Sequence, residues 1–353
     1  MQNFSFRNPT EILFGRGMIA EIAGRVPTDV PVLLVYGGGS IKRNGVYDQV
    51  RRALGPKREV VEFSGIEPNP LHETCMRAVE VARAGHVGFL LAVGGGSVLD
   101  ASKYIAAATC YEGSDPWEIL TTCGAVLKRS LPLGTVLTLP ATGSEANGNS
   151  VISRRETQEK LFFGSPLVFP VFSVLDPETT YSLPQKQVRN GVVDAFVHVM
   201  EQYATYPAGS PLQDRLAEAL VHTLVEVGPQ ALANPRDYDL RANFMWAATL
   251  ALNTLLGCGV PQDWATHAIG HELTAFYGLD HAESLAVVMP GVWVHQIERK
   301  RAKLAQLGER VWGVSQAEET IARTDAFFAS LAMPTRLKDY GVSAVDAAAK
   351  VEA

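Results

Sequence analysis

The sequence predicts an α/β domain built around a parallel sheet, followed by an all-helical domain. Three observations predict it. Through the first half, apolar runs that end in glycines or turn residues alternate with amphipathic stretches. Near Asp176 that alternation stops. From about Gln187 the chain reads as helix nearly to its end.

The elements follow in order. "PVLLVYGGGS" is an apolar run closing on glycines, and "REVVEFSG" is a second run. "HETCMRAVEVARAG" is amphipathic and closes on Gly85. "VGFLLAVGGGS" is a third run, followed by the helix-like "VLDASKYIAAAT", and "LGTVLTLPATGSE" is a fourth. Runs so uniformly apolar suit strands buried on both faces of a parallel sheet. "VFSVLDPETTYSLP" reads as a last strand and a loop. Beyond it, "QVRNGVVDAFVHVMEQYAT" and "SPLQDRLAEALVHTLVEVGPQAL" are helical. A boundary near residues 180–186 divides an α/β domain, residues 1–182, from a helical domain, residues 183–353. A cleft between two such domains is a common place for a ligand. No internal repeat or low-complexity segment is visible.

Composition narrows the function. The 353 residues are 47% hydrophobic and 19% charged, ordinary for a globular chain with a sizeable core. The net charge is −6 and no basic block appears, which disfavours a nucleic-acid partner. No apolar run reaches the roughly 18 residues that span a bilayer, so no membrane partner is expected. The opening "MQNFSFRNPTEILFG" lacks the regions of a signal peptide. Cys75, Cys110, Cys123 and Cys258 are too scattered for a zinc ribbon or a redox pair and read as reduced thiols of a cytoplasmic protein.

"LLAVGGGSVLDASK" has the order strand, glycines, helix. Glycine lets main-chain N–H groups approach a phosphate, and the helix start adds unpaired N–H groups and a positive dipole end. Gly94, Gly95, Gly96 and Ser97 are therefore pyrophosphate candidates, although the run is neither GxGxxG nor a P-loop and also suits a plain β–α turn. In "LLVYGGGSIKRNG", an NAD-selective site would place an acidic residue at the strand end, on the ribose 2′-hydroxyl. Gly37, Gly38, Gly39 and Ser40 stand there instead, with Lys42 and Arg43 beyond. That leaves room for the 2′-phosphate of NADP; a surface turn with solvated cations is the alternative. "TLPATGSEANGNS" gathers Thr138, Thr142, Ser144, Asn147 and Asn149, able to bond a ribose or carboxamide or simply to shape a loop.

"HAIGHELTAFYGLDH" holds three of the eight histidines. His267 and His271 lie four apart, as do Asp194 and His198 in "DAFVHVMEQY", and such pairs share a helix face. Asp194, His198, His267 and His281 would offer one oxygen and three nitrogens, a set suited to Fe²⁺ or Zn²⁺. The HExxH metalloprotease motif fails, because Ala275 stands where its second histidine belongs. Ordinary helix histidines with satisfied rings are the alternative. His72, His86, His222 and His295 have no comparable company.

"GGGSVLDASK", "LPATGSE", "NGVVDAFVHVMEQY" and "DWATHAIGHELTAFYGLDHAESLAVVMP" resemble the iron-containing (group III) alcohol dehydrogenases, closest to their NADPH-dependent butanol dehydrogenase and broad-range aldehyde reductase branch. "FSFRNPTEILFGRG" and "FSGIEPNP" fit the same branch. The resemblance implies a dehydroquinate synthase-like architecture: a Rossmann-like dinucleotide-binding domain and an all-α metal-binding domain. It places the metal ligands on Asp194, His198, His267 and His281. His271 falls on a non-ligand histidine near the metal. The pyrophosphate loop falls on Gly94 to Ser97, with Asp100 one turn into the helix. Thr138 and Thr142 fall at the nicotinamide end, and Lys160 on a lysine that approaches the cofactor. NAD-preferring relatives carry an acidic residue where Gly37 stands. A homodimer through the N-terminal strands is implied. Members usually run a few dozen residues past "DYGVSAVDAAAKVEA", a departure that bears on helical packing rather than on the ligands.

The activity so implied is reversible hydride transfer between NADP(H) and a small alcohol or aldehyde, with one divalent ion, Fe²⁺ or Zn²⁺, as Lewis acid. His271 is a candidate proton relay, or a residue that orients ligands. Trp264, Phe276, Tyr277 and Trp293 would line a substrate pocket or fill the core. A glycerol dehydrogenase, a dehydroquinate synthase-like lyase and a non-catalytic dinucleotide-binding protein are the rival readings. A lyase would want extra Lys and Arg around the ligand segments, and Asp194 to Tyr203 and His267 to His281 contain none.

Overall fold

A computed structural model describes residues 1–352. The chain divides into two compact units. The first comprises Asn8–Pro140 and Ser144–Leu183, the second Met1–Arg7, Ala141–Gly143 and everything from Pro184 on.

The first unit is an α/β domain. Its strands are β1 (Glu11–Phe14), β2 (Val32–Tyr36), β3 (Val60–Phe63), β4 (Phe89–Gly95), β5 (Leu133–Leu139), β6 (Asn149–Arg154), β7 (Glu159–Gly164) and β8 (Phe172–Leu175). Its helices are α1 (Ser40–Arg43), α2 (Val46–Leu54), α3 (His72–Ala84), α4 (Gly96–Thr109) and α5 (Glu118–Thr121). Six strands form one parallel sheet in the order β1-β8-β5-β4-β2-β3. Every residue of β2 is buried, as are Phe89 to Val93 of β4. The uniformly apolar runs thus lie in the middle of the sheet, as a parallel sheet covered on both faces requires. β1, at the edge, and the antiparallel β6–β7 hairpin are additions to the predicted strands. Guanidinium donors of Arg58 reach the carbonyls of Ala23, Val26, Pro27 and Leu54, tying the stretch before β2 to the end of α2.

The strand order sets the functional geography. From β2 the chain steps outward to β3, then returns to the other side of β2 to form β4. The connection reverses there, and in open α/β sheets the crevice at the strand carboxyl ends of such a reversal is where ligands bind.

The second unit is helical: α6 (Gln185–Tyr203), α7 (Pro211–Ala233), α8 (Tyr238–Ala251), α9 (Ala265–Tyr277), α10 (His281–His295), α11 (Ile297–Leu307), α12 (Ala317–Ser330) and α13 (Ala344–Glu352). Its central member is α6, in which every residue from Gly191 to Tyr203 is buried. It packs on α7, α8 and α10. A helix enclosed on all sides must bond each polar side chain it carries. Its last turn does so. Gln202 donates to the carbonyls of His198 at 2.7 Å and Ala251 at 2.8 Å, and the Tyr203 hydroxyl donates to Glu218 at 2.7 Å. The α/β and all-helical architecture matches the fold class predicted.

Candidate active site

Asp194, His198 and Glu201 fall at i, i+4 and i+7 of α6 and so share one face. His267 lies in the first turn of α9 and His271 one turn on; His281 opens α10. Ligand atoms of Asp194, His267 and His281 all lie within 4.8 Å of one another. Asp194 Oδ1 is 3.6 Å from His198 Nε2 and 3.7 Å from His281 Nε2. His198 therefore joins the group through Asp194, and its ring stacks on His267 with centroids 4.8 Å apart.

These separations are too long for hydrogen bonds and suit a shared cation. Two ligand atoms each roughly 2.1 Å from a tetrahedral ion stand about 3.4 Å apart. Asp194 Oδ1 is buried and takes no hydrogen bond, an arrangement that a divalent ion would complete. Burial lowers the His198 imidazole to about 4, with His267 adding to the effect and Asp194 opposing it. His198 is thus neutral at pH 7, the form that binds metal.

Glu201 was not among the predicted site residues. One carboxylate oxygen faces His267 Nδ1, and the other accepts the Thr266 main-chain N–H at 2.6 Å. Burial pushes its carboxyl up to about 8, against the Thr266 bonds and His198; a cation bound to His267 would oppose that rise. His271 stands beside the group, its ring 5.5 Å from that of His281 and 6.3 Å from that of His267. Of the four aromatics named from sequence, Trp264 sits 5.2 Å from the His267 ring. Trp293 is core, and Lys350 lies over Phe276 and Tyr277.

In the α/β unit the two glycine runs come together. Tyr36 pairs with Val93 in register, so Gly37–Ser40 and Gly94–Ser97 leave neighbouring strands at the reversal point. The 14-residue α4 starts at Gly96 with no side-chain cap and no acidic residue in its first turn. Its leading N–H groups and positive dipole end suit an anion. Gly94 and Gly95 have a packing reason as well: a Cβ at Gly94 would meet Val98 at 2.5 Å, and one at Gly95 would meet Leu139 at 2.9 Å. Gly38 and Gly39 border open space, and Gly39 takes φ 85° as it enters α1. Lys42 already has partners. It lies 3.7 Å from Glu62 and over the rings of Tyr36 and Tyr47.

Asp100 is engaged behind the glycine turn. It accepts from the Ser144 hydroxyl at 2.6 Å and the Val151 N–H at 3.1 Å. Lys103, fully buried on the same helix, donates to Ser144, Asn147 Oδ1 and the Asn149 carbonyl at 2.8 to 3.1 Å. Ser144 and Asn147 thus serve a buried polar network. Thr138 is the penultimate residue of β5, whereas Thr142 belongs to the short segment grouped with the helices. Lys160 is buried on β7 and donates to Asn69 at 3.0 Å.

Comparison with known proteins gives consistent relationships. Residues 9–177 match the iron-containing alcohol dehydrogenase family, and residues 189–353 match the C-terminal region of that family. The chain is 56% identical to the NADPH-dependent aldehyde reductase YqhD of Escherichia coli K12, over 97% of this chain and 90% of that protein. It is 44% identical to the probable NADH-dependent butanol dehydrogenase 1 of Bacillus subtilis, over 97% and 91%. The crystal structure of E. coli K-12 YqhD superposes with a TM-score of 0.97 at 54% identity, covering 99% of this chain and 92% of that one.

Proposed function

The chain belongs to the family of iron-containing alcohol dehydrogenases, and we propose that it is an NADPH-dependent reductase of small aliphatic aldehydes, working reversibly as an alcohol dehydrogenase. The reaction consumes aldehyde, NADPH and one proton and yields alcohol and NADP⁺. When bound, NADPH supplies the hydride and the divalent ion, Fe²⁺ or Zn²⁺, the Lewis acidity that polarises the carbonyl.

The protein's own residues would do the rest. Asp194, His198, His267 and His281 hold the ion. The observation that carries this reading is the buried Asp194 Oδ1, set between two imidazole nitrogens and bonded to neither. Gly94, Gly95, Gly96 and Ser97, at the uncapped start of α4, receive the diphosphate. Gly37, Gly38, Gly39 and Ser40 leave room for the 2′-phosphate. Thr138 and Thr142 line the nicotinamide end, Lys160 approaches the cofactor, and Asp100, one turn into α4, completes the cofactor-binding set. Reduction also consumes a proton, which His271, its ring 5.5 Å from that of His281, would supply. The reading assigns NADP to the α/β domain and metal to the helical one, in a cytoplasmic homodimer. No helix among the described residues is long and apolar enough to cross a membrane. β1, at the sheet edge, has one unpaired side that a second copy could extend.

Metal analysis of the purified protein tests this reading. About one equivalent of Fe or Zn is expected per chain. His267→Ala and His281→Ala should each lose metal and turnover together. A variant that keeps both removes its residue from the ligand set.

A further inference from the structure

We propose that Glu201 is a positioning residue for the metal: its carboxylate fixes the tautomer of His267 so that Nε2, and not Nδ1, ligates the ion. The inference rests on the metal-dependent reading above.

A neutral imidazole carries one proton, and only the nitrogen without it can bind metal. Glu201 Oε2 faces His267 Nδ1. An ionised carboxylate only accepts, so it holds the ring proton on Nδ1 and leaves the Nε2 lone pair for the ion. The carboxylate cannot turn away easily, because its other oxygen accepts the N–H of Thr266, the residue before His267. The backbone grips the same segment: the Glu201 carbonyl accepts from Asp263 N at 2.8 Å. Lys300 closes the arrangement, donating at 2.6 Å both to Asp263 and to the carbonyl of Ala204 at the end of α6. Glu201 lies seven residues after Asp194 and three after His198. One helix face therefore carries two ligands and the group that orients a third. The other histidines differ: Nε2 of both His198 and His281 faces Asp194 Oδ1.

Glu201→Gln tests the inference, because it preserves size but cannot accept from both Thr266 N and His267 Nδ1. The readout is the Zn²⁺ dissociation constant of the full chain, by competition with a chromophoric chelator. The variant is expected to bind Zn²⁺ 10- to 100-fold more weakly than the wild type while NADPH binding, followed by its fluorescence, stays unchanged. A Zn²⁺ constant within twofold of wild type overturns the inference and leaves the aldehyde reductase reading standing. A wild-type protein that binds no divalent ion overturns both. Should Glu201→Gln fail to fold, nitrogen-15 histidine spectra of the zinc-loaded wild type decide: His267 must show a protonated Nδ1 and a coordinated Nε2, and the reverse pattern refutes the proposal.

Discussion

Gly37 stands at the carboxyl end of β2, and a Cβ there would lie 3.1 Å from the Ile66 carbonyl. An aspartate at this position would set a negative charge where the proposed cofactor carries its 2′-phosphate. Like charges so placed cost several kcal/mol. Gly37→Asp should therefore lower kcat/KM for NADPH by at least about tenfold, with a much smaller loss for NADH. Steady-state kinetics with the two cofactors would show it, and equal losses for both would refute the role given to this turn. At the same scale, the sequence made some residues legible and hid others. That Asp194, His198, His267 and His281 lie together could be read, because imidazoles are scarce in the chain and their spacing has helical period. Glu201 could not. A glutamate on a helix is ordinarily a solvated surface group, and only the burial of α6 on all sides shows that this one needs a partner. Lys103 was hidden for the same reason.

At the scale of elements, the turn between β4 and α4, the proposed diphosphate site, is held by close packing. Gly94→Ala would drive a methyl into Val98, 2.7 Å from its Cβ and not merely from a flexible side-chain tip. Overpacking of this kind costs about 1–3 kcal/mol. A lower urea midpoint and weaker NADPH binding should appear together; an unchanged midpoint would mean the turn opens freely. Lys103→Met should be harsher, about 3–5 kcal/mol. It removes three hydrogen bonds and takes the ammonium away from the buried Glu145 and the part-buried Asp100. Its urea midpoint should fall below that of Gly94→Ala. The central strands were readable as apolar runs bounded by glycine. β1 is only four residues long, and β6 runs through Asn149, Ser150 and Ser153, so neither carries that signal. That the two glycine runs meet was not readable at all, since strand order is a long-range property that local pattern does not encode.

At the scale of the molecule, the change of texture near Asp176 was legible because a parallel sheet and a helix bundle need different apolar periods. Finer grouping was not. Met1–Arg7 and Ala141–Gly143 cluster with the helices although they precede and interrupt the α/β sequence. Two long-range hydrogen bonds hold the first segment: Gln2 N reaches the Gly259 carbonyl at 2.9 Å, and the terminal ammonium reaches the Ala208 carbonyl at 2.8 Å. The second, Ala141–Gly143, puts Thr142 in the unit that carries the proposed ligands. The central claim is that the helical unit binds a divalent ion and the α/β unit NADPH, and that aldehyde reduction needs both. The most direct test is NADPH oxidation with butanal, using protein stripped of metal and then supplied with Fe²⁺ or Zn²⁺ in turn. The account predicts no turnover in stripped protein, recovery with at least one of the two ions, and a marked fall when NADH replaces NADPH. Full activity without metal, or none with either ion despite tight NADPH binding, would contradict it.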